Sequence, residues 1–430
     1  MKHNLSIRRE DLQNEQRTPI CPMHLSSLHK QKIETVVQPS KLRVFTDEEY
    51  LQAGAKLQEE LNDQTIVLGL KEIVPEKILL QKTYVFFSHT IKGQPQNMLM
   101  LKTLMERGCT LIDYEKIIDD QGRRLLFFGY HAGLAGTVDT LWAFGQKLLH
   151  EKIETPFARL RLTKNYDSLQ QVTAELQSIG EQFKAQSLPA EFSPLTIGVL
   201  GDGNVSKGTQ KILQWLQAQP ISPKELQEIR TKRSGIYYVV FREEHLVESK
   251  SGQISFDLQK YYHHPETFQP VFSRYLPALN ILINCIYWDK RYPRFVTHED
   301  LRLLFSSPFP RLRVIGDISC DINGAIQATV RSTNVQNPVF VYNPSTQLAT
   351  DGVTGKGPAV IAIANLPSEL PKEASEAFGS ALLAWLPGLA ATDFTVPFDR
   401  CSLPKPLKRA TIVYQGALTK EYSYLLEHLP

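Results

Sequence analysis

The sequence predicts an α/β protein of two lobes, each built on a mostly parallel sheet. Three observations predict it. Short apolar runs alternate with amphipathic stretches over the first 130 residues, the pattern of strands joined by covering helices. A second strand–turn–helix unit opens at 196–200 (TIGVL). A chain of 430 residues also exceeds one ordinary core, at about 100–200 residues per domain.

Runs 65–70 (TIVLGL), 84–88 (YVFFS), 110–112 (TLI) and 125–129 (LLFFG) read as buried strands. Between them, 76–81 and 97–107 carry helical spacing and helix-forming residues. Residues 133–149 read as a long helix whose small residues permit close packing or close approach of a ligand. The stretch 187–194 (SLPAEFSP), with two prolines and no periodicity, is expected to be a connection. After strand 196–200 come Gly201, Asp202, Gly203, Asn204, Val205 and Ser206, and then Val205, Ile212, Leu213 and Leu216 share one helical face. Further on, 237–241 is strand-like, His263 and His264 mark a wet region, and 281–288 is an apolar block. Regular patterning returns at 312–318 and 359–363.

Composition narrows the function. Forty-eight basic against 45 acidic side chains leave a formal charge of +3, which gives no electrostatic reason to expect nucleic acid or an anionic membrane as a partner. No stretch reaches the roughly 18 apolar residues of a membrane helix. The first twenty residues contain no apolar run, and their acidic residues argue against a transit peptide. Five widely spaced cysteines form no C-x-x-C pair, so free thiols in a reducing compartment, the cytoplasm, are expected. His263 and His264 lack a third partner at ligand spacing, and no metal site is expected.

Strand, glycine turn and helix together make a dinucleotide fingerprint. The first glycine makes the turn, the second lets a pyrophosphate approach the backbone, and the helix N-terminus stabilises its charge. Gly201 and Gly203 fill the first two places and Ser206 the third, with Gly208 nearby. The second lobe is therefore expected to be Rossmann-like, with Gly201, Gly203, Asn204, Val205 and Ser206 at the cofactor. About twenty residues on, Ser222 and Lys224 offer groups to a 2′-phosphate, whereas Glu225 offers a ribose acid. The expected cofactor is NADP or NAD, with NADP favoured.

Several blocks, in order, carry a resemblance. They are 7–10 (IRRE), 70–72 (LKE), 87–92 (FSHTIK), 112–116 (IDYEK), 122–124 (GRR), 128–129 (FG) with 131–136 (HAGLAG), and 203–208 (GNVSKG). Later come 283–288 (INCIYW), 317–321 (DISCD), 365–367 (NLP) and 369–375 (ELPKEAS). Together they resemble lysine–2-oxoglutarate reductase, the lysine-forming saccharopine dehydrogenase group related to alanine dehydrogenase. The likeness includes the reductase half of bifunctional aminoadipic semialdehyde synthase. That bifunctional enzyme continues into a glutamate-forming half, whereas this sequence stops at Pro430. The expected further partner is a separate glutamate-forming saccharopine dehydrogenase. The resemblance implies a discontinuous substrate lobe, residues 1–135 completed by 367–430, and a dinucleotide lobe, 136–366, with substrate held in the cleft between them.

The reaction implied joins the ε-amine of lysine to the carbonyl of 2-oxoglutarate, dehydrates the adduct to an imine and reduces it to saccharopine. The amine must shed a proton and the departing hydroxyl must gain one, so two groups titrating near neutrality are needed. Lys71 and His89 each follow an apolar strand, where ligands meet a parallel sheet, and the resemblance identifies them as the acid–base pair. It also implies Glu72 and Glu115 as carboxylates adjusting that pair. Arg17, Arg124 and Lys92 are the expected clamps for substrate carboxylates, Arg for its planar fork, and Gln94 a partner of the lysine moiety. Asp321, Asn365 and Leu366 are expected near the nicotinamide. The rivals are a related opine- or imine-forming dehydrogenase using another amino or oxo acid, the same enzyme run oxidatively to form lysine from saccharopine with NAD, and a catalytically silent lysine- or nucleotide-binding regulator.

Overall fold

A computed structural model describes residues 3–185, 192–229, 234–252 and 255–430. The chain divides into two compact units, residues 1–128 with 371–430, and residues 129–370.

Unit 1 begins with six strands that lie parallel: β1 (Leu5–Ile7), β2 (Thr35–Val37), β3 (Lys56–Leu57), β4 (Ile66–Leu68), β5 (Thr83–Phe86) and β6 (Thr110–Asp113). Three helices interleave, α1 (Pro22–Lys30), α2 (Asp47–Gln52) and α3 (Pro95–Glu106). The apolar runs become strands because both sheet faces are covered, so β1, β4, β5 and β6 are buried throughout. Helix α3 starts on Pro95, which fits a first turn that needs no N–H donor there. It buries Met98, Leu101 and Leu104 against the sheet.

Two expectations fail here. Residues 125–129 do not form a strand: Arg124 makes an isolated bridge to Ile118, Leu126 and Phe128 pack inward, and a helix begins at Gly129. Residues 76–81 make only one 3-10 turn, Pro75–Lys77. The next turn never closes, because the Leu79 N–H goes to the Tyr84 hydroxyl (2.7 Å) and Gln81 is left-handed at φ 56°.

Unit 2 opens with α4 (Gly129–His150) and α5 (Leu169–Ala185). The expected connection at 187–194 lies outside the described residues as far as 191. Then follow β7 (Leu195–Leu200), α6 (Asn204–Trp215), β8 (Gln219–Pro220), β9 (Ile236–Phe241), a small hairpin of β10 (Val247–Ser249) and β11 (Phe268–Pro270), β12 (Ile281–Asn284) and β13 (Val314–Asp317). Strands β14 (Val339–Tyr342), β15 (Ala349–Asp351) and β16 (Ala359–Ile361) complete the sheet, in the order β8-β9-β7-β12-β13-β16-β14-β15. From β8 to β16 it is parallel, and β14 and β15 add an antiparallel edge.

Helix α4 belongs wholly to unit 2, so the units part before it rather than at residue 135. Its small residues explain why. A Cβ on Gly133 would collide with the Val205 carbonyl of α6, and one on Gly208 with the Tyr130 carbonyl. The two helices cross with backbone almost touching backbone.

After unit 2 the chain returns to unit 1 through the helix Pro371–Leu382. It ends in β17 (Thr411–Tyr414), antiparallel on β6, and β18 (Ala417–Leu418) on β17. The unit 1 sheet thus runs β18-β17-β6-β5-β4-β1-β2-β3. Among the described residues no helix is long and apolar enough to cross a membrane.

Candidate active site

In unit 1 the chain leaves β4 through Gly69 and Leu70 to Lys71. Past the end of the ladder two successive N–H groups need acceptors, and the Glu10 carboxylate, its side chain 6% exposed, supplies both: it accepts from Leu70 (2.8 Å) and Lys71 (3.0 Å). Burial pushes the Glu10 carboxyl above the usual carboxylate range, opposed by the charge of Arg8 and by these two bonds. Arg8 in turn is paired with Asp11.

His89 follows β5 in a left-handed conformation, φ 47°, which a non-glycine residue holds only at a cost of roughly 1 kcal/mol or more. Its neighbours hold it there. Ser88 gives both its N–H (3.0 Å) and its hydroxyl to Asp113, and Asn97 donates to the His89 carbonyl (3.1 Å). The imidazole stacks along Phe87, with ring centroids 6.4 Å apart, and its Nδ1 meets the Glu72 carboxylate. Burial raises the pKa of Glu72, but the bond and charge of His89, with the charge of Lys71, outweigh it and leave Glu72 low. With Nδ1 held by a carboxylate, Nε2 is the atom left to exchange a proton; the side chain is 37% exposed.

Asp113, at the end of β6, is wholly buried. One oxygen serves Ser88; the other accepts the Glu115 N–H (2.7 Å). A single carboxylate therefore ties the turn carrying His89 to the turn carrying Glu115. Burial lifts its pKa to about 6 despite the Ser88 and Glu115 bonds. Glu115 pairs with Arg124, whose side chain is 53% exposed.

Arg17 is buried and forked on Glu15, Nε at 2.7 Å and Nη2 at 2.5 Å, with its guanidinium 4.4 Å above the Phe128 ring centroid. Phe128 stacks on Phe378 at 4.7 Å, and Phe87 and Tyr114 close this aromatic floor. Lys92 is exposed, and its N–H donates to the Gln94 amide oxygen (2.9 Å) at the start of α3.

Unit 2 holds the glycine turn. Gly201 lies at φ 90°, a region open to glycine, with its N–H on the Phe241 carbonyl of β9 (2.8 Å). Gly203 precedes α6, which has no side-chain cap, and a Cβ there would stand in empty space. An uncapped helix N-terminus with an open cradle before it fits a pyrophosphate. Asn204 and Val205 form the first turn, and buried Ser206 accepts from Gln210 (3.0 Å). Beside the turn lies a cavity of about 260 Å³ lined by Glu243, Tyr261, Tyr287 and Tyr292. Asp321 closes a turn by accepting the Gly324 N–H on its carbonyl (2.8 Å), the Asn365 carbonyl caps Ser368, and Leu366 is buried in the core.

The residues expected to read the ribose are elsewhere. Ser222 and Glu225 bond each other as the capping box of the short helix Pro223–Glu228, which also holds Lys224. That helix follows β8, an edge strand paired with β9 and not with β7. Strand β7 lies between β12 and β9, both parallel to it; β9 is the nearer of the two in sequence, and the residue after it is Arg242. Its guanidinium grips Asp202 of the glycine turn, Nη2 at 2.9 Å and Nε at 3.0 Å.

Comparison with known proteins bears on this arrangement. The alanine dehydrogenase/PNT N-terminal domain family matches residues 6–135. The lysine-forming, NAD(+) saccharopine dehydrogenase of Emericella nidulans is 30% identical over 88% of this chain and 89% of its own. The chain belongs to the lysine-forming saccharopine dehydrogenase family. Alpha-aminoadipic semialdehyde synthase of Arabidopsis thaliana is 38% identical over 96% of this chain, which spans 40% of that relative's length. An L-alanine dehydrogenase structure superposes with a TM-score of 0.63 at 16% identity, covering 99% of this chain and all of its own, so the two share a Rossmann-like α/β fold.

Within this saccharopine dehydrogenase fold, Glu72 with His89 and Glu115 with Arg124 stand as bonded pairs, and Arg17 is held by Glu15. Three further groups escaped sequence reading: Glu10, Asp113 and Asn97, which fix the turns of Lys71 and His89. Glu10 and Asp113 lie inside the IRRE and IDYEK blocks, the signal that could have flagged them.

Proposed function

We propose that the protein is a nicotinamide-dependent oxidoreductase that interconverts L-lysine plus 2-oxoglutarate and saccharopine by reductive amination. The observation that carries this reading is the Glu72–His89 pair beside Lys71 at the ends of two adjacent parallel strands. The names of the relatives over nearly the whole chain support the substrates.

His89, oriented through Nδ1, presents Nε2 for proton transfer, and Lys71 is the second exchanging group. One takes the proton shed by the lysine ammonium before it attacks the carbonyl. The other supplies the proton that leaves with the hydroxyl as water when the imine forms. Glu72 and Glu115 hold counter-charge beside these groups. Arg124, exposed although paired with Glu115, supplies a guanidinium fork for a substrate carboxylate, Arg17 would add a second once Glu15 yields its fork, and Lys92 and Gln94 stand at the rim. The hydride for the last step is the chemistry a bound nicotinamide supplies. Gly201, Gly203 and the first turn of α6 would hold its pyrophosphate, and Asp321 and Asn365 would line the nicotinamide, whereas the Leu366 side chain is packed in the core and offers the ligand no surface. Free cysteines suit a reducing compartment, and the cytoplasm is the one proposed.

The test is to mix purified protein with L-lysine, 2-oxoglutarate and NADPH or NADH, follow nucleotide absorbance and identify the product by mass. Saccharopine, formed one for one with nucleotide oxidised, is expected. No oxidation with any amine and oxo-acid pair would sink the reading, and oxidation with a different amine alone would change the substrate.

A further inference from the structure

We propose that Arg242 forms the binding site for the ribose 2′-phosphate of the cofactor, so that the protein takes NADP in preference to NAD. This rests on the reading of the glycine turn as a dinucleotide site.

In a parallel α/β sheet the residue that ends the strand beside the fingerprint strand faces the adenosine ribose. A carboxylate there accepts from the ribose hydroxyls and repels a phosphate, whereas an arginine there receives a 2′-phosphate. Of the two parallel neighbours of β7, β12 and β9, it is β9 that comes first after β7 in the chain and so holds the place of the second strand of a dinucleotide fold; its register with β7 is unbroken from Leu195 with Ile236 to Leu200 with Phe241. The Gly201 N–H on the Phe241 carbonyl fixes the two strand ends at the same level. Arg242 is therefore the next residue at the rim of the turn, and a guanidinium occupies the place where a NAD site keeps an acid.

Its surroundings suit the role. The Arg242 backbone is pinned as the N-cap of the helix Glu243–Leu246, its N–H on His245 Nδ1 (3.1 Å). The side chain is 62% exposed and its partner Asp202 37% exposed, so solvent screens the pair and an incoming dianion can displace the carboxylate. A phosphate also matches the planar fork better than one shared carboxylate oxygen does. The acid that follows, Glu243, is turned to the tyrosine cavity, where its carboxylate accepts from the Tyr262 hydroxyl (3.1 Å). Ser222 and Lys224, one strand farther out, take no part.

Equilibrium binding, without substrates or turnover, tests the assignment. Calorimetric titration with adenosine 2′,5′-bisphosphate and with 5′-ADP compares ligands that differ in the 2′-phosphate and lack nicotinamide. The wild-type protein is expected to bind the bisphosphate roughly 10–100-fold more tightly, the range for a charged hydrogen-bonded contact. Arg242→Ala should erase that difference while leaving 5′-ADP binding within about twofold, which also reports that the fold is intact. Arg242→Glu should invert the preference. Equal affinities in the wild type, or equal weakening of both ligands in Arg242→Ala, would overturn the role of Arg242. Failure of the wild type to bind either ligand would instead overturn the dinucleotide reading of the turn itself.

Discussion

The central strands of unit 1 run into ionisable side chains, Glu72 on His89 and Glu115 on Arg124, around the buried anchor Asp113. Those of unit 2 run into backbone: Gly201 in a conformation glycine tolerates, Gly203 with open space where a side chain would be, and α6 beginning without a cap. On the proposed function, the difference follows from what each end would have to do. Moving protons needs charged groups held against one another so that their pKa values and orientations are set. Holding a dinucleotide needs donors left free and side chains kept away. The same sheet architecture serves both tasks because only the residues after the strands change.

The largest effect is expected at Lys71. Lys71→Met is expected to lower turnover by roughly 10²–10⁴-fold, the usual range for acid–base groups, with nucleotide affinity unchanged by fluorescence titration. A parallel loss of affinity would mean that the two units do not divide the work.

Asp113 comes next. Asp113→Asn keeps the shape but sets an NH₂ against donors, so the His89 turn loosens, and kcat should fall roughly tenfold, the scale of one lost charged hydrogen bond, with KM little changed. The pH dependence carries a second mark. A carboxyl whose folded pKa is raised to about 6 from the usual 3.8 binds its proton more tightly folded than unfolded. Its contribution to stability is complete below about pH 4 and is lost as pH rises through about 6. The wild type should therefore show a falling stability component between those values, from denaturant unfolding at several pH values, and in Asp113→Asn it should be smaller but not absent, since burial raises Asp139 and Asp317 into the same window.

In unit 2, Gly208→Ala puts a Cβ onto the Tyr130 carbonyl and should cost about 1–3 kcal/mol by urea unfolding, as overpacking does. Stability equal to wild type would show that α4 and α6 have room to part. The smallest effect is expected at Ser222→Ala, which removes a cap worth about 1 kcal/mol but leaves the ratio of NADPH to NADH affinity unchanged. A changed ratio would return the ribose site to the edge strand.

How much of this was legible depends on range. Strands β4, β5, β6, β7 and β9 stand out because a buried parallel strand reads as an apolar run. Strands β1 and β2 are three residues long and carry buried Ser6 and Thr35, so no period marks them. At the candidate site, Lys71, Glu72, His89 and Glu115 were named from ordered blocks. Glu10 was not, since it reaches Leu70 across sixty residues, and nothing local announces a carboxylate that caps a distant turn. Arg242 was missed for a topological reason. The chain visits edge strand β8 before returning to lie beside β7, so a count of about twenty residues from the glycine turn lands one strand too far out.

On the proposed function, unit 1 supplies the acid–base chemistry and unit 2 the nucleotide site. This division is tested most directly by measuring, on one preparation of His89→Gln, both the NADPH dissociation constant and the rate of saccharopine formation from lysine and 2-oxoglutarate. A dissociation constant within about twofold of wild type and a rate lower by roughly 10²–10⁴-fold are expected. A wild-type rate, or a rate loss matched by lost NADPH binding, would contradict it.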